Sequence, residues 1–147
     1  MPLLAPADQQ RLRDAFAEMK RPVRLQFFTQ AFGCDTCEQT KQILDELPPL
    51  SDRISVEELN VVLEKEAAAR YAIDRAPAIV VLTQDASGQW ADARIRFLGA
   101  PSGYEFVSLV QAILLAGGRE SGLSAATRQR LANVDRPITM QVFTTPT

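Results

Sequence analysis

The chain of 147 residues has two cysteines, Cys34 and Cys37, and only two residues separate them. An alternating apolar run lies before the pair at 23–29 and a helix-like pattern follows at 36–47, so the pair is predicted where a strand turns into a helix. Unpaired amide groups and the macrodipole favour an anion at a helix N-terminus. We therefore expect Cys34 to be partly ionised when reduced. Cys37, one helical turn further on, would attack a mixed disulfide formed at Cys34.

The composition restricts the other chemistries that are open to the chain. The absence of histidine excludes Cys/His zinc sites and histidine-dependent triads, and two thiolates are too few for a closed metal site within one chain. With 16 basic and 18 acidic residues and no basic block, nucleic acid is not an expected partner. The sequence has neither a secretion-signal pattern nor a membrane-spanning run, so we expect a cytoplasmic protein without a membrane partner. We also expect no cofactor. In a reducing cytosol a close cysteine pair is typical of catalysis or metal binding.

The rest of the chain predicts an alternation of helices and strands. A helical pattern precedes the first strand, with apolar side chains at Leu12, Ala15, Phe16 and Met19. The segments after the cysteine pair are predicted as a strand at 53–59, a helix at 62–72 whose inner side includes Leu63, a strand at 78–82, a strand at 93–97 and a helix at 103–116.

This order resembles the thioredoxin fold, an α/β fold with a central mixed β-sheet flanked by helices, here with an extra N-terminal helix. In that family a proline in cis begins the strand that faces the redox motif, and Pro77 matches it by position. The resemblance implies that Ala76 and Pro77 bind substrate, with the Ala76 backbone pairing with an extended chain beside Cys34. It also implies that Phe28 replaces the buried acid of thioredoxins, and that Gly33 stands where they carry an aromatic residue.

The end of the chain repeats its beginning. Residues 136–144 match residues 21–29 at five positions with an offset of 115, and the helical pattern before them repeats the stripe of the first helix. Two such units in tandem resemble the glutaredoxin-like protein disulfide oxidoreductases, and also the N-terminal part of flavin-dependent alkyl hydroperoxide reductase subunits, the first being the closer match. At the same offset a second Cys-x-x-Cys would begin at about residue 149, beyond Thr147.

We therefore expect a thioredoxin/glutaredoxin-like domain at 1–118, followed at 119–147 by a linker helix and the first strand of a truncated second unit. The helix is expected to pack on the first unit through Leu131 and Val134. The strand that follows it is expected to be mobile or to form a homodimer contact, because it lacks the rest of its sheet.

Three interpretations of the cysteine pair follow. In the first, the chain is a thiol–disulfide oxidoreductase of cell redox homeostasis, with Cys34 as nucleophile and Cys37 as resolving thiol. Its substrates would be protein or small-molecule disulfides, and its electrons would come from a reductase or glutathione. In the second, it is a redox-inactive docking or scaffold module of a tandem protein. In the third, two chains share a metal site. We favour the first, and because the charge of Asp35 opposes ionisation of Cys34, we expect a reductant or isomerase.

Overall fold

A computed structural model describes residues 2–145, which form five helices and four strands. They are α1 (Pro6–Phe16), β1 (Val23–Thr29), α2 (Cys37–Asp45), β2 (Ile54–Asn60), α3 (Lys65–Arg70), β3 (Ala78–Gln84), β4 (Trp90–Leu98), α4 (Tyr104–Ala116) and α5 (Ala125–Ala132). A 3-10 turn at Pro48–Leu50 separates α2 from β2. Among these residues no helix has both the length and the apolar character needed to cross a membrane.

The four strands form one mixed sheet in the order β2-β1-β3-β4. Strand β1 runs parallel to β2 and antiparallel to β3, and β3 pairs with β4 as an antiparallel hairpin. The residues of β3 from Ala78 to Leu82 are buried, as expected for a central strand that is covered on both faces. The C-terminal ends of β1 and β2 and the N-terminal end of β3 therefore meet at one end of the sheet.

Helices cover the two faces of the sheet unequally. Phe16 of α1, Leu44 of α2 and Ile113 of α4 are fully buried in one large cluster on the first face. On the second face, Ala68 of the short helix α3 packs with Phe28 in a smaller cluster. Phe28, which the resemblance implies in place of a buried acid, is fully buried.

Helix α3 is shorter than the sequence pattern predicts. The expected helix at 62–72 begins only at Lys65, because the side chain of Asn60 holds the preceding residues in a turn. Its Oδ1 accepts hydrogen bonds from the backbone N–H groups of Val62 at 2.9 Å and Leu63 at 3.0 Å. Leu63, which was expected on the inner side of the helix, is exposed.

The segment after α4 does not pack as expected. Helix α5 forms, and the Ser124 hydroxyl caps it by accepting a hydrogen bond from the Thr127 N–H at 3.2 Å. The predicted packing through Leu131 and Val134 is wrong, because both side chains are exposed and α5 has no buried residue. One large apolar residue in the helix buries too little surface to hold it on the domain. Within the described chain, residues 138–144 are not assigned to any strand.

Candidate redox site

The two cysteines lie where the central strand β1 leads into α2, and a disulfide joins them with their Cα atoms 5.5 Å apart. The two side chains differ in exposure. Cys37 is 7% exposed and belongs to the large core cluster, whereas Cys34 is half-buried at the edge of that cluster. A molecule approaching from solvent therefore meets Cys34 first.

Helix α2 begins later than expected, and this changes the basis for distinguishing the two thiols. Cys37 is the first helical residue, so the expectation that it lies one turn inside the helix is wrong. The carbonyl of Thr36 closes the first turn by accepting hydrogen bonds from both the N–H (2.9 Å) and the hydroxyl (2.8 Å) of Thr40. Because the disulfide places both sulfurs at this helix start, the macrodipole distinguishes them little. Exposure is the property that separates Cys34 from Cys37.

The peptide bond between Ala76 and Pro77 is cis, as the resemblance implied. Pro77 is buried immediately before β3, and its carbonyl accepts a hydrogen bond from the Gly99 N–H at 2.9 Å. Ala76 and Cys34 both pack against the large core cluster at the same end of the sheet. The structure thus brings all four predicted site residues to one region, while the substrate-binding role of Ala76 and Pro77 stays a prediction.

The loop between β1 and Cys34 presents an aromatic side chain that the sequence analysis did not select. The Gln30 side-chain amide donates hydrogen bonds to the carbonyls of Phe32 at 2.8 Å and Gly33 at 3.1 Å. Gly33 has φ +71°, a conformation that favours glycine. With its backbone held in this way, Phe32 is 90% exposed. The sequence did contain a feature that could have pointed to Phe32: it is the only large apolar residue between Thr29 and Cys34.

The charged side chains next to the disulfide are acidic. Asp35 and Glu38 are both exposed, and residues 30–40 contain no lysine or arginine. The next basic residue, Lys41, is paired with Glu58 at 2.8 Å and with Asp45 at 3.4 Å. The hydrogen bond to Glu58 is the main cause that raises the pKa of Lys41. Lys41 is therefore already paired with carboxylates of its own chain.

The third interpretation of the cysteine pair, a metal site, concerns ligands shared between two chains. The described residues contain no group of three or more cysteine or carboxylate side chains that could hold a metal ion. The shared site between two chains would need both cysteines as free thiolates. In this structure Cys34 and Cys37 are bonded to each other.

No family model matches the chain, but individual known proteins are similar to it in sequence and structure. A probable thioredoxin of Methanothermobacter thermautotrophicus is 27% identical over 89 residues, which cover 60% of this chain and 92% of that protein. The N-terminal domain of the alkylhydroperoxide reductase AhpF of Enterococcus faecalis is 27% identical with a TM-score of 0.75 over 87% of this chain. A protein disulfide oxidoreductase of Aeropyrum pernix is 24% identical with a TM-score of 0.72 over 88% of this chain.

These similarities confirm the thioredoxin-like fold that the sequence predicted. The similarity to a probable thioredoxin and the disulfide-bonded Cys-x-x-Cys both support thiol–disulfide oxidoreductase activity. The chain spans 59% of the AhpF chain and 54% of the disulfide oxidoreductase chain. The scores give no preference to the disulfide oxidoreductase, which was the closer match expected from the sequence.

Proposed function

We propose that this chain is a thiol–disulfide oxidoreductase in which Cys34 is the nucleophile and Cys37 the resolving thiol. In the reduced protein the Cys34 thiolate attacks one sulfur of a substrate disulfide, and the other substrate sulfur leaves as a thiolate. The Cys37 thiolate then attacks the Cys34 sulfur, which releases the second substrate thiolate and forms the Cys34–Cys37 disulfide. Two electrons pass to the substrate, and the protons of the dithiol balance the two thiolates released.

One observation carries this assignment of roles: Cys34 is half-buried and the more exposed of the two, whereas Cys37 is buried. An incoming disulfide can align with a sulfur only if that sulfur is accessible. The resolving thiol, by contrast, needs to reach only the sulfur of its neighbour. The buried position of Cys37 also protects it from a second substrate.

The substrate is proposed to lie along the backbone at Ala76. This residue immediately precedes Pro77 and β3, at the end of the sheet where Cys34 lies. An extended polypeptide beside it would pair with its backbone as an added strand segment, which gives affinity without dependence on sequence. We expect a reductase or glutathione to return electrons to the Cys34–Cys37 disulfide.

A turnover assay with matched variants tests the function. We expect the wild-type chain to accelerate reduction of insulin by dithiothreitol, and Cys34→Ser to abolish the acceleration because the attacking thiol is gone. Ser124→Ala, a substitution in the cap of α5 away from the site, serves as the control and should retain activity. Insulin reduction at the uncatalysed rate with the wild-type chain would favour the redox-inactive scaffold instead.

We further propose that residues 119–147 begin a second thioredoxin-like unit after the domain at 1–118. The repeat between 21–29 and 136–144 supports this division, and so does the exposure of every residue from 119 to 145. A longer form of the chain should contain a second Cys-x-x-Cys close to residue 149. Pairing of the strand with a second copy is the alternative, and sedimentation over a range of concentrations would reveal it as a dimer.

A further inference from the structure

Three exposed apolar side chains lie at the redox end of the sheet. Phe32 is 90% exposed, Leu63 79% and Val62 57%, and we call these three residues the apolar shelf. They belong to the loops that follow the parallel strands β1 and β2, and the Val61 N–H joins these loops by donating to the Thr29 carbonyl at 2.9 Å. Two peptide units separate Phe32 from the reactive cysteine, so their Cα atoms lie within about 7.6 Å.

Side-chain hydrogen bonds hold the backbone of both loops. The Gln30 amide donates to the carbonyls of Phe32 and Gly33, which belong to two successive peptide groups. In the other loop, Asn60 Oδ1 accepts from two backbone N–H groups, and the Asn60 N–H donates to Glu64 Oε2 at 2.6 Å. On a fixed backbone, a partner that covers an apolar side chain has to order only its rotamers and not the loop. The shelf therefore has the properties of a preformed binding surface.

Acidic side chains lie next to the shelf in the sequence, and we call them the acidic rim. Residues 30–40 and 60–66 contain four acidic side chains and one basic side chain, a net charge of −3. The acidic members, all exposed, are Asp35, Glu38, Glu64 and Glu66. Such a rim attracts cationic partners and repels anions such as glutathione disulfide, which carries several carboxylates.

Resting on the proposed function, we propose that the substrates are polypeptide disulfides with a large apolar residue and a basic residue beside the cystine. The apolar shelf binds the apolar side chain and the acidic rim binds the basic one. Exchange then follows the steps given above, with Cys34 attacking the polypeptide disulfide. Of the two electron donors expected from the sequence, glutathione is the one that the rim disfavours.

Single-turnover exchange with the pre-reduced full chain tests this substrate class. Two synthetic peptides carry the same intramolecular disulfide and differ only at two flanking positions, leucine and lysine in one, alanine and glutamate in the other. We expect the leucine–lysine peptide to react at least tenfold faster. Phe32→Ala and Leu63→Ala should each slow this reaction about tenfold, since burying a large apolar side chain contributes at least that factor. Neutral hydroxyethyl disulfide should react with these variants at the wild-type rate, within twofold.

The matched control is Phe143→Ala, which removes the same kind of side chain at the same 90% exposure in the C-terminal segment. It should leave both peptide rates unchanged. Equal wild-type rates for the two peptides would overturn the inference while leaving the proposed function intact, as would an equal loss of peptide and hydroxyethyl disulfide rates in Phe32→Ala. A reaction with glutathione disulfide faster than with hydroxyethyl disulfide would refute the role of the rim. If the wild-type chain exchanges with none of these disulfides, the proposed function itself fails.

Discussion

Alkylation of the reduced protein should find Cys34 well before Cys37, and the structure sets the size of the difference. Iodoacetamide can reach the Cys37 sulfur only if the first turn of α2 opens, because this side chain is 7% exposed. Opening breaks the two hydrogen bonds from Thr40 to the Thr36 carbonyl. At about 1 kcal/mol each, they impose a cost of about 2 kcal/mol, which corresponds to a rate ratio of roughly thirtyfold.

The assay reduces the protein, removes the reductant and adds substoichiometric iodoacetamide at neutral pH, followed by mass spectrometry of the digested chain. Cys37→Ser should be labelled at the wild-type Cys34 rate, and Cys34→Ser at the slow rate. In urea the slow rate should rise to that of an unfolded thiol, since burial is its cause. Equal labelling of the two thiols, or faster labelling of Cys37, would refute the assignment of Cys34 as the attacking thiol.

The same assignment and the surrounding structure lead to further expectations. Cys37→Ser should accumulate mixed disulfides with substrate, detectable on non-reducing gels, whereas Cys34→Ser should not, because only the former keeps the attacking thiol. Gly33→Ala and Gly88→Ala both place a side chain at positive φ, +71° and +82°, and each should lose about 1 kcal/mol of unfolding free energy in urea titrations. Only Gly33→Ala should also slow exchange with the leucine–lysine peptide. An equal slowing by both variants would contradict the role of the Phe32 loop. The hydrogen bond from Arg96 lowers the pKa of Asp92, so the pair stabilises the fold at neutral pH, and this contribution is lost as pH falls through the lowered pKa. Asp92→Asn should therefore cost about 1 kcal/mol at pH 7 and nothing in strong acid, while Asp74→Asn, in an exposed pair, should cost nothing measurable at either pH.

The order of elements was predictable because apolar periodicity reports which residues enter the core. The alternation of Val23, Leu25 and Phe27 placed β1 correctly, and the apolar run of β3 placed the central strand. These patterns arise from burial, which also determines the packing of the sheet. The two cysteines were found because they are the only ones in the chain, and Pro77 because the resemblance to the thioredoxin fold implies a cis proline at this position.

The boundaries of the helices near the site were less predictable. The Asn60 side chain accepts hydrogen bonds from two backbone N–H groups and holds these residues in a turn, so α3 begins later than predicted. The apolar spacing around Leu63 alone would suit a helix. Similarly, the first helical residue of α2 depends on which carbonyl Thr40 bonds to, and periodicity does not specify it. Both errors concern polar contacts over a few residues. They matter because one determines the surroundings of Cys37 and the other exposes Val62 and Leu63, two of the three residues of the apolar shelf.

The repeat gives the clearest separation between what a sequence pattern encodes and what a fold adds. Phe28 and Phe143 occupy equivalent positions in the segments 21–29 and 136–144, yet Phe28 is fully buried and Phe143 is 90% exposed. Strand β1 has β2 on one side and β3 on the other, so its backbone groups are paired and its alternate side chains are covered. Residues 138–144 have no such neighbouring strands within the described chain. Alternation thus predicts which side chains a strand would bury, whereas strand formation requires the edge of a sheet to pair with.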